Sequence, residues 1–237
     1  MKKRQFNPFL VALLLFALPS CSDKPYDVKV AGKAKNVMTG ISLENNIRLD
    51  TILAPGIYGL GPKENLQGEI TVVDGVPYVS TVENGKMVTR IDSSVSAPFF
   101  VYSPFKYRKV RETVSWRSVK DIEHTLKRLK NYFNIPKNQA FPFVMEAEFS
   151  KIQIHVIMRD PNEKEHSHEA HMKAKVPFEY KSIRGRLIGF YSTEHEGIFT
   201  HKGSHVHVHF LSDDGKITGH LDNIRHLSTV AVSIPKF

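Results

Sequence analysis

The chain has 237 residues, of which 41% are hydrophobic and 24% are charged, with 14 Gly, 13 Pro and a single Cys. This length predicts one compact domain or two small lobes, and the apolar fraction excludes a disordered chain. The formal net charge is +9, but the basic residues are scattered, and their densest run lies at 106–111. We therefore do not expect nucleic acid as a partner.

The first twenty residues are typical of a bacterial export signal. Residues 1–5 are basic and residues 9–18 are almost wholly apolar, a run that is too short to span a bilayer as a stable helix. The run ends in Leu-Pro-Ser-Cys at 18–21, which resembles a lipobox, and Cys21 is the only cysteine of the chain. An ordinary signal peptide with a chance cysteine is the alternative interpretation.

The lipobox interpretation predicts an exported lipoprotein, anchored through acylated Cys21 to a bacterial membrane on its periplasmic face or at the cell surface. Use of the cysteine for lipid agrees with an exported chain that has no disulfide. Residues 1–20 are then the signal peptide, residues 21–35 are a polar tether, and residues 36–237 are the functional unit.

The segment from 41 to 102 predicts short strands that are joined by tight turns. Asp74-Gly75 and Asn84-Gly85 are typical two-residue hairpin turns. Strands return in the second half of the chain, at 143–150, 152–158, 183–191, 204–211, 217–224 and 227–234. An exposed loop or short helix is predicted at 160–176. The order strands, helix, strands predicts an α+β fold with mostly antiparallel sheet.

One helix is predicted clearly, at 119–133. Apolar residues recur there at spacings of three and four, and Ser118 with Asp121 forms a capping-box pattern at the start. The sequence Asn134-Ile135-Pro136 ends the helix. The charged residues of the other face predict a solvent-exposed surface: Lys120, Glu123, Lys127 and Lys130.

The most informative segment carries four histidines near the C-terminus. His205, His207 and His209 alternate with apolar residues, so their side chains share one face if the segment is a strand. Asp214-Gly215 predicts a two-residue type I′ turn, and the resulting register places His209 directly opposite His220. Residues paired in this way hold their Cβ atoms about 4.5–5.5 Å apart, with His207 on the same face.

Three imidazoles that converge from one hairpin can hold a metal ion. Three histidine ligands with an open fourth position are typical of a catalytic zinc site rather than a structural one. We therefore predict a zinc site on the C-terminal hairpin, formed by His207, His209 and His220. His205 lies furthest from His220, so we place it, with Asp222, at the periphery of the site. The alternative interpretation is a strand whose histidines face solvent.

Several blocks of the sequence resemble the α-acetolactate decarboxylases. They follow the family's order over residues 40–225: Tyr58-Gly-Leu-Gly61, Leu66-Gln-Gly-Glu-Ile70, Asp74-Gly75, Tyr78, Ala97-Pro98-Phe99, Arg159, Gly185-Arg-Leu-Ile-Gly-Phe190, His207-Val-His-Phe-Leu-Ser-Asp-Asp214 and Gly219-His220. The histidine block is the most specific of these. The resemblance implies a two-lobed α+β fold, often dimeric, with the metal between its sheets. We place the lobes at 36–140 and 141–237.

The resemblance also implies the residues of the site and the reaction. His207, His209 and His220 match the family's three zinc ligands. Glu69 matches the carboxylate beside the metal, and Arg159 matches the arginine that faces the substrate. The implied activity is that of a carboxy-lyase, the zinc-dependent conversion of acetolactate (2-hydroxy-2-methyl-3-oxobutanoate), or a close 2-hydroxy-3-keto acid, to acetoin through a metal-stabilised enediolate. Arg159 would hold the departing carboxylate or a developing oxyanion, and Glu69 would relay the proton.

Two departures from the family pattern favour alternative functions. Family members usually carry threonine where this chain has Pro62, and they return a glutamate to the site after the third histidine, whereas the last fifteen residues here include no acid. A relative that has lost catalysis but binds metal and ligand is the second hypothesis. The third is a zinc-scavenging surface lipoprotein, suggested by a further cluster of His166, His168 and His171.

Overall fold

The computed structural model describes residues 26–41, 43, 45–163, 165 and 167–236. The predicted signal peptide and Cys21 lie outside these residues. Within them the chain forms thirteen β-strands and three α-helices, and the strands of each sheet pair antiparallel. The predicted α+β fold with mostly antiparallel sheet is confirmed. No helix in the described ranges has the length and apolar character needed to cross a bilayer.

The N-terminal half forms a six-stranded sheet. Its strands are β1 (Lys29–Ala31), β3 (Ile57–Pro62), β4 (Glu69–Val73), β5 (Val76–Glu83), β6 (Lys86–Ile91) and β8 (Phe100–Pro104). The order across the sheet is β1-β8-β3-β4-β5-β6. A separate pair joins β2 (Ile47–Arg48) to β7 (Ser96–Ala97). Every residue of β4 is buried, which places this strand at the centre of the molecule.

Both predicted N-terminal hairpins form as type I′ turns. The β4–β5 turn has φ values of 51° at Asp74 and 80° at Gly75, and the β5–β6 turn has 51° at Asn84 and 74° at Gly85. Positive φ at both central residues defines this turn type, and Asn, Asp and Gly tolerate it best. The turns therefore set the register that brings Glu69, the first residue of β4, opposite Ser80.

The second sheet contains strands that are longer than predicted. It comprises β9 (Tyr107–Trp116), β10 (Phe141–Ile157), β11 (Lys175–Tyr191), β12 (Val206–Ser212) and β13 (Thr218–Pro235). The order is β10-β11-β12-β13-β9, and β10 also pairs with β13, so four of the strands close into a ring.

The breaks predicted within β10 and β13 are wrong. Lys151 and Arg225, which lie at the predicted breaks, are paired with each other across the two strands. The pairing instead shifts register between Glu146 and Lys151 and again between Gln153 and Ile154. Such bulges bend a strand and increase its twist without ending it. The strands can therefore curve far enough to close the ring.

Helix α2 (Val119–Tyr132) covers one face of the second sheet, close to the predicted span. Its capping box forms as predicted, because Ser118 N–H donates to Asp121 Oδ2 at 2.9 Å. The apolar residues at the predicted spacing are buried in the core below the helix: Ile122, Leu126 and Leu129. The helix is thus held by its apolar face, as its periodicity indicates.

The polar face of α2 is not wholly exposed, contrary to the prediction. Lys130 is 5% exposed, and its Nζ lies 5.5 Å from the centre of the Tyr191 ring. Glu123 Oε1 accepts hydrogen bonds from Ser204 Oγ at 2.7 Å and from His205 N–H at 3.1 Å. These contacts attach the helix to the residues that lead into β12.

Short helices complete the fold: α1 (Ala34–Met38), α3 (His168–Lys173) and the 3₁₀ turns Leu49–Thr51 and Glu64–Leu66. Helix α3 lies where a loop or short helix was predicted. Strand β1 pairs with β8, so part of the segment assigned to the tether, 21–35, lies in the first sheet. Strand β9 and helix α2 precede the lobe boundary drawn after residue 140, yet they pack with the second sheet.

Candidate metal centre

The histidine hairpin, β12–β13, forms in the predicted register. His209 is paired with His220, as the alternation and the turn signal indicated. The turn itself differs from the prediction, because only Gly215 of the Asp214-Gly215 pair has a positive φ, 71°. Gly215 N–H donates to Ser212 O at 3.0 Å, which starts a four-residue loop. Loops of two and four residues leave the same residues opposite each other, so the register is unaffected.

The three predicted ligands converge between the two sheets. One nitrogen from each of His207, His209 and His220 lies within 4.8 Å of the other two, and His207 Nε2 is 3.1 Å from His220 Nδ1. One zinc ion with Zn–N bonds of about 2.0–2.1 Å requires nitrogens about 3–4 Å apart. The described part of the chain therefore contains a histidine cluster of the right size for a single ion.

Burial keeps these three imidazoles neutral. Desolvation lowers the pKa of His209 to about 3 and holds the pKa of His207 and His220 well below the usual value of 6.5. Neighbouring histidines lower each pKa further. A neutral histidine presents the unprotonated nitrogen that a metal ion requires.

Two threonines determine which nitrogen of His209 faces the cluster. His209 Nδ1 lies 2.9 Å from Thr71 Oγ1, which lies 2.8 Å from Thr218 Oγ1, and Thr218 Oγ1 donates to Phe210 O at 2.7 Å. His209 Nδ1 is thus occupied by Thr71, so Nε2 is the His209 nitrogen that faces the cluster.

His209 Nε2 is the atom that fits a metal most clearly. It is buried, and it makes no hydrogen bond to any other described residue. A buried polar atom without a partner is costly unless a ligand satisfies it. The cluster supplies such a position, because the other two histidines and Glu69 surround this nitrogen.

Glu69 is the carboxylate of the site, where the family resemblance places it. It is 4% exposed, with Oε2 at 3.6 Å from His209 Nε2 and Oε1 at 3.9 Å from His155 Nε2. Desolvation raises its pKa to about 8. A carboxyl group that keeps its proton near neutral pH can act as a general acid and then as a base.

His155 was missed by the sequence analysis. Its Nδ1 lies 2.8 Å from Asp222 Oδ2, and its ring centre is 4.8 Å from that of His220. Asp222, predicted to be peripheral, therefore lies behind His155 and directs its Nε2 toward Glu69. Gly219 allows the strands to approach there, because a Cβ at this position would lie 2.6 Å from the His155 carbonyl oxygen.

Two other predicted residues do not face the cluster. The Arg159 guanidinium donates to the carbonyl of Glu163, and only the Arg159 main chain reaches toward the site, where its N–H donates to Leu66 O at 2.9 Å. His205 has its side chain 49% exposed, and its Nδ1 lies 3.8 Å from Glu123 Oε2. His205 thus contacts helix α2 rather than the ligands.

One further histidine lies at the mouth of the cleft, and three belong to the sequence cluster at 166–171. His201, which the sequence analysis did not single out, is exposed and has its ring centre 5.1 Å from that of His220. In the second cluster, His166 and the side chain of His168 lie outside the described residues, and His171 is buried. The described residues therefore contain one group of three potential ligands, the hairpin cluster.

A largely apolar cleft opens in front of the histidines. It lies between helix α1, the end of β3 and the second sheet, and its volume is about 100 Å³. Phe99 forms part of its wall and stacks on the His207 ring at 5.7 Å, and Pro62 also lines it. An apolar lining with a few converging polar groups is typical of a small-molecule site.

These features define an α+β protein with a candidate catalytic metal centre between two antiparallel sheets. The model of the α-acetolactate decarboxylase family matches residues 31–237, so the chain belongs to this family. The family assignment made from the sequence blocks is thereby confirmed.

Individual relatives are distant. The α-acetolactate decarboxylase of Brevibacillus brevis is 25% identical over 182 residues, which cover 77% of this chain and 61% of that protein. The enzyme of Lactococcus lactis is 24% identical over 199 residues, 83% of this chain and 79% of that protein. The match thus spans less than two thirds of the Brevibacillus protein.

Solved structures show the same fold. A Staphylococcus aureus protein described as similar to α-acetolactate decarboxylase superposes with a TM-score of 0.71 at 18% identity, covering 89% of this chain and 85% of that one. The Bacillus subtilis α-acetolactate decarboxylase superposes with a TM-score of 0.67 at 18% identity, covering 88% of this chain and 86% of that one. At this identity the likeness concerns the fold.

Proposed function

We propose that the protein is a zinc-dependent decarboxylase that converts acetolactate, or a close 2-hydroxy-3-keto acid, to acetoin and CO₂. The observation that carries the proposal is the convergence of His207, His209 and His220 beside Glu69 in an apolar cleft. Membership of the α-acetolactate decarboxylase family supports the reaction class.

His207, His209 and His220 would hold the ion. Histidine nitrogens suit zinc and disfavour the hard cations calcium and magnesium. When bound, zinc supplies a Lewis acid that stabilises negative charge on the substrate oxygens. Thr71, itself bonded to Thr218, occupies His209 Nδ1 and so orients Nε2 toward the ion, and Phe99 covers the face of the His207 ring.

Glu69 is the proposed proton donor. Loss of CO₂ leaves an enediolate, which becomes acetoin when one carbon takes up a proton. The Glu69 carboxyl group lines one side of the cleft, and burial raises its pKa in the metal-free chain to about 8. Delivery of the proton from one side of the enediolate gives one enantiomer of acetoin. The apolar wall of the cleft excludes water that would otherwise supply the proton. The contact with a developing oxyanion that the family resemblance implies for Arg159 would require its side chain to turn from the Glu163 carbonyl toward the cleft.

Removal of the metal tests this function. Chelation is expected to reduce acetoin formation from acetolactate to the rate in buffer, and zinc is expected to restore it, whereas magnesium is not. The measurement is acetoin released over time by metal-free and reconstituted protein. Protein that carries one zinc per chain and still forms acetoin no faster than buffer would contradict the proposal and favour the binding function.

The hydrogen bonds of Thr71 and Thr218 are expected to increase the affinity of the site for zinc. Thr71→Val removes the hydroxyl that hydrogen-bonds His209 Nδ1 without changing the side-chain shape, and the affinity for zinc is expected to fall about 10–100-fold. Competition with a chromophoric chelator measures it. Thr113→Val, on the exposed face of β9, is the matched control and should bind zinc as the wild type does. Equal affinity in both variants would refute the role of Thr71.

We also propose that the protein is an exported lipoprotein, attached to a bacterial membrane through Cys21, and that it forms a homodimer. The support for the anchor is the basic start, the apolar run and the Leu-Pro-Ser-Cys sequence at 18–21. The support for the dimer is the family resemblance alone.

A further inference from the structure

The substrate of the proposed reaction is an anion, and an apolar cleft holds a carboxylate only if a cation receives it. Among the described residues that line the cleft, Lys175 is the one lysine or arginine. The chemistry of the cleft therefore points to this side chain.

Lys175 is held at the edge of the site by Asp222. It is the first residue of β11, paired with Ile157 of β10, and its side chain is 24% exposed. Its Nζ lies 3.8 Å from Asp222 Oδ1, while Asp222 Oδ2 binds His155 Nδ1 at 2.8 Å. One carboxylate thus fixes both the lysine and the histidine on the same side of the cleft.

The ammonium group retains donors for a second carboxylate. Nζ carries three N–H groups, and a separation of 3.8 Å is an ion pair that is too long for a hydrogen bond. Arg159, the residue that the family resemblance assigns to the substrate, donates instead to the Glu163 carbonyl and does not line the cleft. Lys175 therefore lines the cleft, whereas the Arg159 guanidinium does not.

We infer that Lys175 binds the carboxylate of the substrate, with Asp222 as the positioning residue behind it. This inference rests on the proposed decarboxylase function for its substrate class. The substrate loses its carboxylate charge as CO₂ departs, so the contact with Lys175 is stronger in the ground state than in the transition state. Loss of Lys175 is therefore expected to raise KM more than it lowers kcat.

The test uses the full-length, zinc-loaded protein and two small ligands. 2-Hydroxyisobutyrate has the hydroxyl and carboxylate of the substrate but no ketone, and acetoin lacks the carboxylate. In Lys175→Met, 2-hydroxyisobutyrate is expected to bind about 10–100-fold more weakly by calorimetry, with acetoin binding unchanged. Lys175→Arg is expected to retain most of the affinity for 2-hydroxyisobutyrate, because it keeps the positive charge.

Matched controls separate this effect from damage to the fold. Lys173→Met changes a neighbouring lysine that is 75% exposed and paired with Glu169, and it is expected to bind both ligands normally. Zinc content and thermal unfolding are measured for every variant. If Lys175→Met loses zinc or stability, Lys175→Gln, which keeps a polar tip at this half-buried position, provides the comparison.

Two outcomes would overturn the inference. One is unchanged binding of 2-hydroxyisobutyrate in zinc-replete Lys175→Met or Lys175→Gln. The other is a loss of binding in Arg159→Met that the Lys175 variants do not show. Wild-type protein that binds 2-hydroxyisobutyrate through Lys175 and releases no acetoin from acetolactate would refute the decarboxylase function and leave the assignment of Lys175 intact.

Discussion

Replacing His209 by alanine is expected to remove zinc from the protein and to abolish decarboxylation. His209 is fully buried, and its Nε2 faces the other two ligands without a hydrogen-bond partner among the described residues. Two histidines alone leave the ion weakly held, and the Lewis acid contributes several kcal/mol of transition-state stabilisation, so the rate is expected to fall at least about a thousandfold. Metal analysis and acetoin formation measure the two effects.

His205 provides the matched control for His209. It belongs to the same alternating run, but its side chain is exposed and faces Glu123 of helix α2. His205→Ala is therefore expected to keep one zinc per chain and nearly full activity. Retention of zinc in His209→Ala, or equal loss of zinc in the two variants, would contradict the ligand assignment.

Replacing Glu69 by glutamine is expected to separate catalysis from metal binding. Glutamine has the shape of glutamic acid but cannot transfer the proton, so kcat is expected to fall about 10²–10⁴-fold while the zinc content stays at one per chain. The control is Glu83→Gln, because Glu83 is an exposed carboxylate at the end of β5 that pairs with Arg90 of β6. Normal turnover by Glu69→Gln would exclude Glu69 as the proton donor.

The same variant has a consequence for the stability of the metal-free protein. Burial raises the pKa of Glu69 from 4.5 to about 8, so the folded chain keeps a proton that the unfolded chain releases over this interval. The free energy of unfolding therefore falls as pH rises from about 4.5 to 8. Glu69→Gln removes this part of the pH dependence, which thermal unfolding across the interval would show.

The elements with local patterns were predictable from the sequence. The alternation of His205, His207 and His209 places them on one face, and a turn signal with an even number of loop residues pairs His209 with His220 whichever loop forms. The capping box at Ser118 and the apolar spacing of α2 are equally local. Each of these signals depends on residues within about one turn or one hairpin of each other.

The parts of the site that join distant segments were not predictable in this way. The contact between His155 and Asp222 connects strands β10 and β13, and the Thr71–Thr218 pair connects the two sheets. Lys175 reaches the cleft because β11 begins there rather than at its predicted start, residue 183, and pairs with Ile157 of β10. Such contacts depend on how the sheets pack and curve, which no local periodicity encodes.

The most direct test of the catalytic metal centre is the rate and chirality of acetoin formed from racemic acetolactate by the zinc-loaded protein, with His209→Ala as the reference. The account predicts fast release of one acetoin enantiomer by the wild type and none above the buffer rate by the variant. Racemic acetoin, or a wild-type rate equal to that of His209→Ala in protein that holds one zinc, would contradict it.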